Sequence, residues 1–98
     1  NYELDDLDFL DEYLQELRQR ATSDYVLTML GAYFAEVMRR TIGGELGYDG
    51  SRGGLFLRCG GVTCFPLAKV KKAYETQERN ALQNYCFAFA RRVSAALE

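Results

Sequence analysis

From Tyr25 to Met38 the chain is almost continuously apolar, with Thr28, Gly31 and Glu36 the exceptions, and it then runs through Arg39 and Arg40 into a stretch rich in glycine. A helix that is apolar around its circumference belongs in the interior of a domain. The segment is therefore read as a central helix on which the other elements are laid. Thr22 or Ser23 can cap its free amides, Asp24 suits its first turn, and Arg39, Arg40 and Gly43 suit its end. Gly31 and Ala35 stand four residues apart and share a face, where small side chains let another element approach closely.

The flanking segments carry their own periodicities. Leu7, Leu10, Leu14 and Leu17 recur at spacings of three and four, the stripe of an amphipathic helix ending near residue 20. Asp5 is placed to cap it, Asp8 occupies the capping-box position, and Leu4 and Phe9 occupy the two staple positions. Eight of the nine glycines fall between residues 43 and 61, so helix formers give way there to turns and short strands. Residues 45–48, 55–59 and 62–65 read as three strands, the last two joined at Gly60-Gly61 by a two-residue hairpin turn. In that hairpin Leu55, Leu57, Cys59, Val62 and Cys64 share the core face, and Phe56, Arg58 and Thr63 share the other.

Pro66 suits the first turn of a third helix, with Leu67, Val70 and Tyr74 inward and Lys69, Lys71 and Lys72 outward. After a break at residues 76–80, Leu82, Tyr85, Cys86, Phe89, Val93 and Leu97 form the stripe of a last helix. The order α-α-β-β-β-α-α predicts an α+β fold, a small three-stranded antiparallel meander packed on a central buried helix. Ninety-eight residues, 48% apolar and 27% charged, suit a single domain over residues 1–98.

Composition excludes several functions. Twelve basic against 14 acidic residues leave a net charge of −2, which gathers neither nucleic acid nor an anionic membrane. No apolar run reaches the length of a membrane span, so neither a nucleic-acid nor a membrane partner is expected. Charge is nonetheless segregated: residues 1–17 carry seven acids and no base, and residues 69–92 carry six bases and two acids. These blocks are read either as two solvated faces attracting each other within the fold or as a basic patch for a partner.

Cys59, Cys64 and Cys86 are an odd set in a chain with no signal-like start, which points to a reducing, cytoplasmic compartment. Three thiols with no histidine are too few for tetrahedral zinc, and the Gly60-Gly61 turn leaves Cys64 diagonal to Cys59. All three are read as small buried hydrophobes; no metal and no cofactor is expected. The lack of histidine also removes the usual general base near neutral pH, so the chain is read as no enzyme. The glycines match neither G-x-G-x-x-G nor G-x-x-x-x-G-K-[ST], and the acids Asp6, Asp8, Asp11 and Glu12 lack the glycine of a calcium loop.

Glu36 is the one acid inside the apolar segment. Arg39 and Arg40 follow it at the separations of a favourable helical pair. One reading puts it on the least buried edge of the helix with an arginine beside it. The other puts it in a partly buried site, satisfied by Arg39, Arg40, the amides of Gly43 and Gly44 or a ligand's basic group, because a lone buried charge is prohibitive. A pocket lined by Tyr33, Glu36, Arg40 and Tyr48, with Arg39 beside it, follows from the second.

Gly31-Ala32-Tyr33, Glu36-Val37, Arg39-Arg40, Gly43-Gly44, Phe65-Pro66 and Lys69-Val70 together resemble a family of small uncharacterised bacterial domains with the pattern G-A-Y-x-G-E-V-x-R-R, G-G-x-W and F-P-x-x-K-V. The resemblance covers about the middle half of the chain. Ala35 stands where the pattern has glycine and Leu46 where it has an aromatic residue, which alters any binding surface that aromatic lines. The resemblance implies an accessory or immunity-type protein that acts by binding other proteins. With seven Tyr and six Phe to distribute over so small a domain, the expected function is a non-catalytic binding module for a protein partner or a homo-oligomer. The alternative is a small-ligand sensor with its pocket between the central helix and the meander.

Overall fold

The computed structural model describes residues 4–19, 22–52 and 54–98, with Leu4 and Asp5 described by their backbone alone. Four helices and three strands follow the expected order: α1 (Leu4–Arg18), α2 (Asp24–Ile42), β1 (Glu45–Asp49), β2 (Gly54–Cys59), β3 (Val62–Cys64), α3 (Pro66–Thr76) and α4 (Ala81–Ala96). The strands form an antiparallel meander in the order β1-β2-β3. Its core face lies on the helices, where Leu57 and Cys64 join Val37, Met38, Val70 and Phe89 in one buried cluster.

Local chemistry explains most boundaries. Ser23 caps α2, its hydroxyl accepting from the Val26 amide at 3.3 Å, and Gly43 closes it with φ 105° while its amide donates to the Arg39 carbonyl. Gly60 and Gly61 both have positive φ, and the turn they make sets Cys59 opposite Val62 and Cys64 opposite Leu57. The three cysteines are free thiols. β3 ends one residue earlier than expected: Phe65, at φ −126° and ψ 82°, leaves the strand and becomes the N-cap of α3, whose first residue is Pro66. α1 is already formed at Leu4, slightly ahead of the expected start. The side chains of the cap and staple expected at Asp5 and Leu4, and Arg20 at the far end, lie outside the described residues.

The small face of α2 receives α3. A Cβ built on Gly31 would stand 2.9 Å from the Leu67 Cα, so the two helices touch where only hydrogen fits. Gly47 does the same service in the sheet: the Phe56 ring from its register partner covers the space a side chain would need.

α1 terminates two other helices. Asp11 accepts from the amides of Leu82 and Gln83 at 2.9 and 3.0 Å, capping α4 from outside, because the N-cap residue Asn80 offers no side-chain hydrogen bond of its own. Burial raises the Asp11 carboxyl above its ordinary value, against the lowering effect of these two amides. Arg18 donates at 2.6 Å to the Ala73 carbonyl in the last turn of α3, which also accepts from the Gln77 amide, and at 2.8 Å to the Glu78 carbonyl in the connection to α4. Asp11 and Arg18 are seven residues apart and so share one face of α1.

Two expectations, for α2 and for Lys69, require correction. α2 is not enclosed all round: Tyr25, Met29 and Tyr33 are 71%, 56% and 42% exposed, since the other elements cover only one side of it. Lys69 does not point freely outward but pairs with Glu78 at 2.9 Å over the Tyr85 ring. No ion pair among the described residues joins the acids of α1 to the bases of α3 and α4; α1 is held instead by peptide groups and by Gln83, which donates to Asp8.

Gly31→Ala is expected to lower stability by about 1–3 kcal/mol, as overpacking does where backbone blocks relaxation. Asp11→Ala, which strands two α4 amides, should cost about 1 kcal/mol. Urea unfolding measures both, and an unchanged midpoint for Gly31→Ala would refute the close approach.

Candidate functional site

Four exposed large apolar side chains, Phe9, Tyr25, Met29 and Tyr33, lie on α1 and α2, whereas Leu46 and Tyr48 lie on β1, Phe87 on α4 and Leu97 just past its end. α1 turns its leucines inward, which sends Phe9 and Tyr13, four residues apart, along the flank facing α2; their rings stack with centroids 6.3 Å apart. The uncovered side of α2 presents Val26, Met29 and Tyr33 at spacings of three and four. Between the two helices lies a groove of about 300 Å³, walled on one side by Phe9, Leu10 and Tyr13 and on the other by Val26, Met29, Leu30 and Tyr33. Phe9 is 59% exposed, and Tyr25 extends the same surface along α2. Every wall is apolar or aromatic, with the phenol groups of Tyr13 and Tyr33 as the polar tips.

The groove runs toward a compact ion cluster on α2. Glu36 accepts from Arg39 through both carboxylate oxygens, at 2.9 Å from Nε and 2.7 Å from Nη2, and from Arg40 Nε at 2.6 Å. The hydrogen bonds from Arg39 and then Arg40 hold the Glu36 carboxyl down at about 2, and Glu36 raises the Arg39 guanidinium in return. The edge reading of Glu36 and the paired reading thus meet: it is half-exposed, and both arginines serve it.

The five residues singled out in the sequence are therefore distributed. Glu36, Arg39 and Arg40 form the cluster, and Tyr33 lies one turn before it in the groove wall. Tyr48 is 75% exposed on β1, and its ring lies beside Gly50 of the adjoining turn and Gly54 at the start of β2. Sequence reasoning missed Phe9, Tyr13, Val26 and Met29. A signal was present, since Phe9 and Tyr13 lie off the leucine stripe, but it was absorbed by the staple expected at Phe9.

A second cleft, of about 400 Å³ between α1 and the start of α4, is lined by Asp8, Glu12 and Glu16 with Arg79 and Gln83. Its deepest acid, Asp11, is committed to the α4 amides. Among the described residues no group of three or more His, Cys, Asp and Glu side chains could hold a metal ion. Burial pushes the Cys64 and Cys86 thiols up to about 11, so both stay protonated and unreactive near neutral pH. Among the described residues no helix is long and apolar enough to cross a membrane.

Comparison with protein-family models, curated proteins and solved structures finds no match.

The Glu36 cluster has a definite pH signature. Its folded value lies below the unfolded one near 4.5, so whatever it contributes is present in full above that value and is lost as the pH falls through about 2. Carbon-detected NMR should show the Glu36 carboxyl titrating last among the glutamates, and Arg39→Gln should move that midpoint upward. A Glu36 midpoint level with the other glutamates would refute the cluster.

Proposed function

We propose that the chain is a non-catalytic protein-binding domain that receives its partner in the groove between α1 and α2. The observation that carries this reading is the exposure of Phe9, Tyr25, Met29 and Tyr33 beside one concave apolar surface. Large side chains scattered singly over a surface need no explanation, but a contiguous aromatic and methionine patch loses free energy in water until something covers it. Aromatic residues and methionine are also the types enriched at the centres of protein interfaces. Methionine adds adaptability, because its unbranched thioether repacks against different shapes.

The alternative, a small-ligand sensor with a pocket between the central helix and the meander, has less behind it. Of the residues expected to line it, Tyr33 belongs to the α1–α2 groove and Tyr48 is exposed on β1, while Val37, Met38 and Leu57 of α2 and β2 are fully buried in the core. The protein-binding reading agrees with the accessory or immunity-type expectation and with self-association, since both require a covered surface.

A photocrosslinking amino acid placed at Tyr33 or Tyr25, in the protein expressed in its native cells, is expected to give discrete adducts that vanish in a Met29→Asp background. The same group at Arg91, on an exposed part of α4, should give none. Because Met29 is exposed, Met29→Asp should shift stability by no more than about 0.5 kcal/mol, so loss of adducts cannot be ascribed to unfolding. Equal adduct formation from all three sites, or none from the groove, would refute the reading.

A further inference from the structure

We infer that the outer edge of β1 is a second interaction surface, which takes an extended segment of a protein partner as a fourth strand of the sheet, the segment carrying three consecutive apolar residues next to a lysine or arginine. This surface is separate from the groove, and the inference does not rest on it.

The two edges of the sheet are built differently. β3 spans only Val62–Cys64, and Pro66, which has no amide to donate, follows two residues on. β1 spans Glu45–Asp49, pairs with β2 along its whole length without a bulge, and carries neither proline nor lysine, the residues that commonly blunt an edge. Among the described residues β2 alone pairs with it. The peptide groups of alternate β1 residues therefore point outward, and apart from the Asp49 carbonyl, which accepts from the Arg52 amide, they have no partner among the described residues. Alternating donors and acceptors along a strand are met by another strand, whereas a helix keeps its peptide groups to itself.

Side chains decide what that strand carries. Leu46 shares a face with its register partner Leu57, but the helices that bury Leu57 leave Leu46 and Tyr48 exposed. On the opposite face Glu45, Gly47 and Asp49 follow one another, with the Phe56 ring lying over Gly47 between the two acids. Glu45 makes no ion pair among the described residues: Arg58, opposite it in register, donates to Thr63 on the far strand at 3.3 Å and lies over the Phe56 ring. Arg39 and Arg40 are held by Glu36. Asp49 is served within its own turn, accepting from the Ser51 amide and hydroxyl with Arg52 nearby. Glu45 is thus the charge left open at this edge. A strand offers the same side chains to both its neighbours, and the pairing inside the protein shows what suits them: β2 sets Leu55, Phe56, Leu57 and Arg58 opposite Tyr48, Gly47, Leu46 and Glu45. The same order on the outer edge places apolar residues beside Tyr48, the Phe56 ring and Leu46, and a base beside Glu45. A second copy of β1 fits less well, because its full antiparallel register sets Glu45 against Asp49 at both ends, and like charges directly opposite are destabilising.

The test sorts a displayed library of random peptides of about 12 residues, longer than the strand they must form, on the folded protein. Counter-selection uses a Leu46→Lys, Tyr48→Lys double variant, both positions being exposed, and circular dichroism checks that each variant is folded. The expected outcome is a set of β1-dependent peptides in which three apolar residues adjoin Lys or Arg. Their binding should slow hydrogen exchange of the outward β1 amides and fall roughly threefold in Glu45→Lys, the equivalent of one exposed ion pair. Methylating one alternate set of peptide nitrogens in the run should abolish binding and methylating the other set should not, because only one set faces β1. Met29→Asp should leave binding unchanged. Peptides without the base, binding that survives methylation of either set, loss of binding in Met29→Asp, or exchange protection in α1 and α2 instead of β1 would overturn the inference, as would enrichment of no β1-dependent peptide. A stable dimer in light scattering that the double variant dissociates would replace the partner segment by a second copy of the chain.

Discussion

Everything at the putting-together of this domain turns on how α1 is held. Its leucine stripe supplies adhesion without direction, because apolar contact alone tolerates rotation and sliding. Direction comes from two charged side chains on one face: Asp11 on the first amides of α4, and Arg18 on the Ala73 carbonyl in the last turn of α3 and the Glu78 carbonyl just beyond it. A helix end exposes unpaired peptide groups with a partial charge, and a side chain of opposite sign satisfies both needs at once. With α1 pinned at two points two turns apart, its other flank is fixed relative to α2. Phe9 and Tyr13 are thereby brought opposite Met29 and Tyr33, and the groove takes its shape.

The opposite side of α2 is held as tightly by different means. Gly31 lets α3 approach until Leu67 occupies the space of a side chain, and Phe34, Val37 and Met38 fill the remaining interior. Tyr85 links this layer to the sheet, its hydroxyl accepting from the Phe65 amide at 3.0 Å and its ring meeting Phe34. One helix therefore carries two opposed faces, one dry and closely packed, the other apolar and wet. The first accounts for the fold and the second for the proposed activity. In the Glu36 cluster one acid is satisfied by two neighbouring arginines, which keeps that end of the helix polar.

Much of the architecture was legible because it follows from short-range chemistry. Ser23, Gly43, the Gly60-Gly61 turn and Pro66 each act within a few residues, and each marks a boundary seen in the structure. The free face of α2 was not legible. Tyr25, Met29 and Tyr33 have the same apolar character as Leu27, Leu30 and Phe34, and nothing local distinguishes an apolar residue that will be covered by this chain from one that will not. The roles of Asp11 and Arg18 were not legible either, because both hydrogen-bond to peptide groups, which carry no signal in composition.

The amino-acid order by itself determined which segments become helix or strand, where they begin and end, and which faces of the meander are apolar, since periodicity, caps and turn residues act through neighbours along the chain. Only the tertiary structure decided which side of α2 stays open, which helix ends are capped from afar and where the exposed aromatic side chains converge. Those outcomes depend on how many elements a chain of this size can wrap around one helix, and on contacts between residues as far as 75 positions apart. Such contacts exist only once the whole domain has closed.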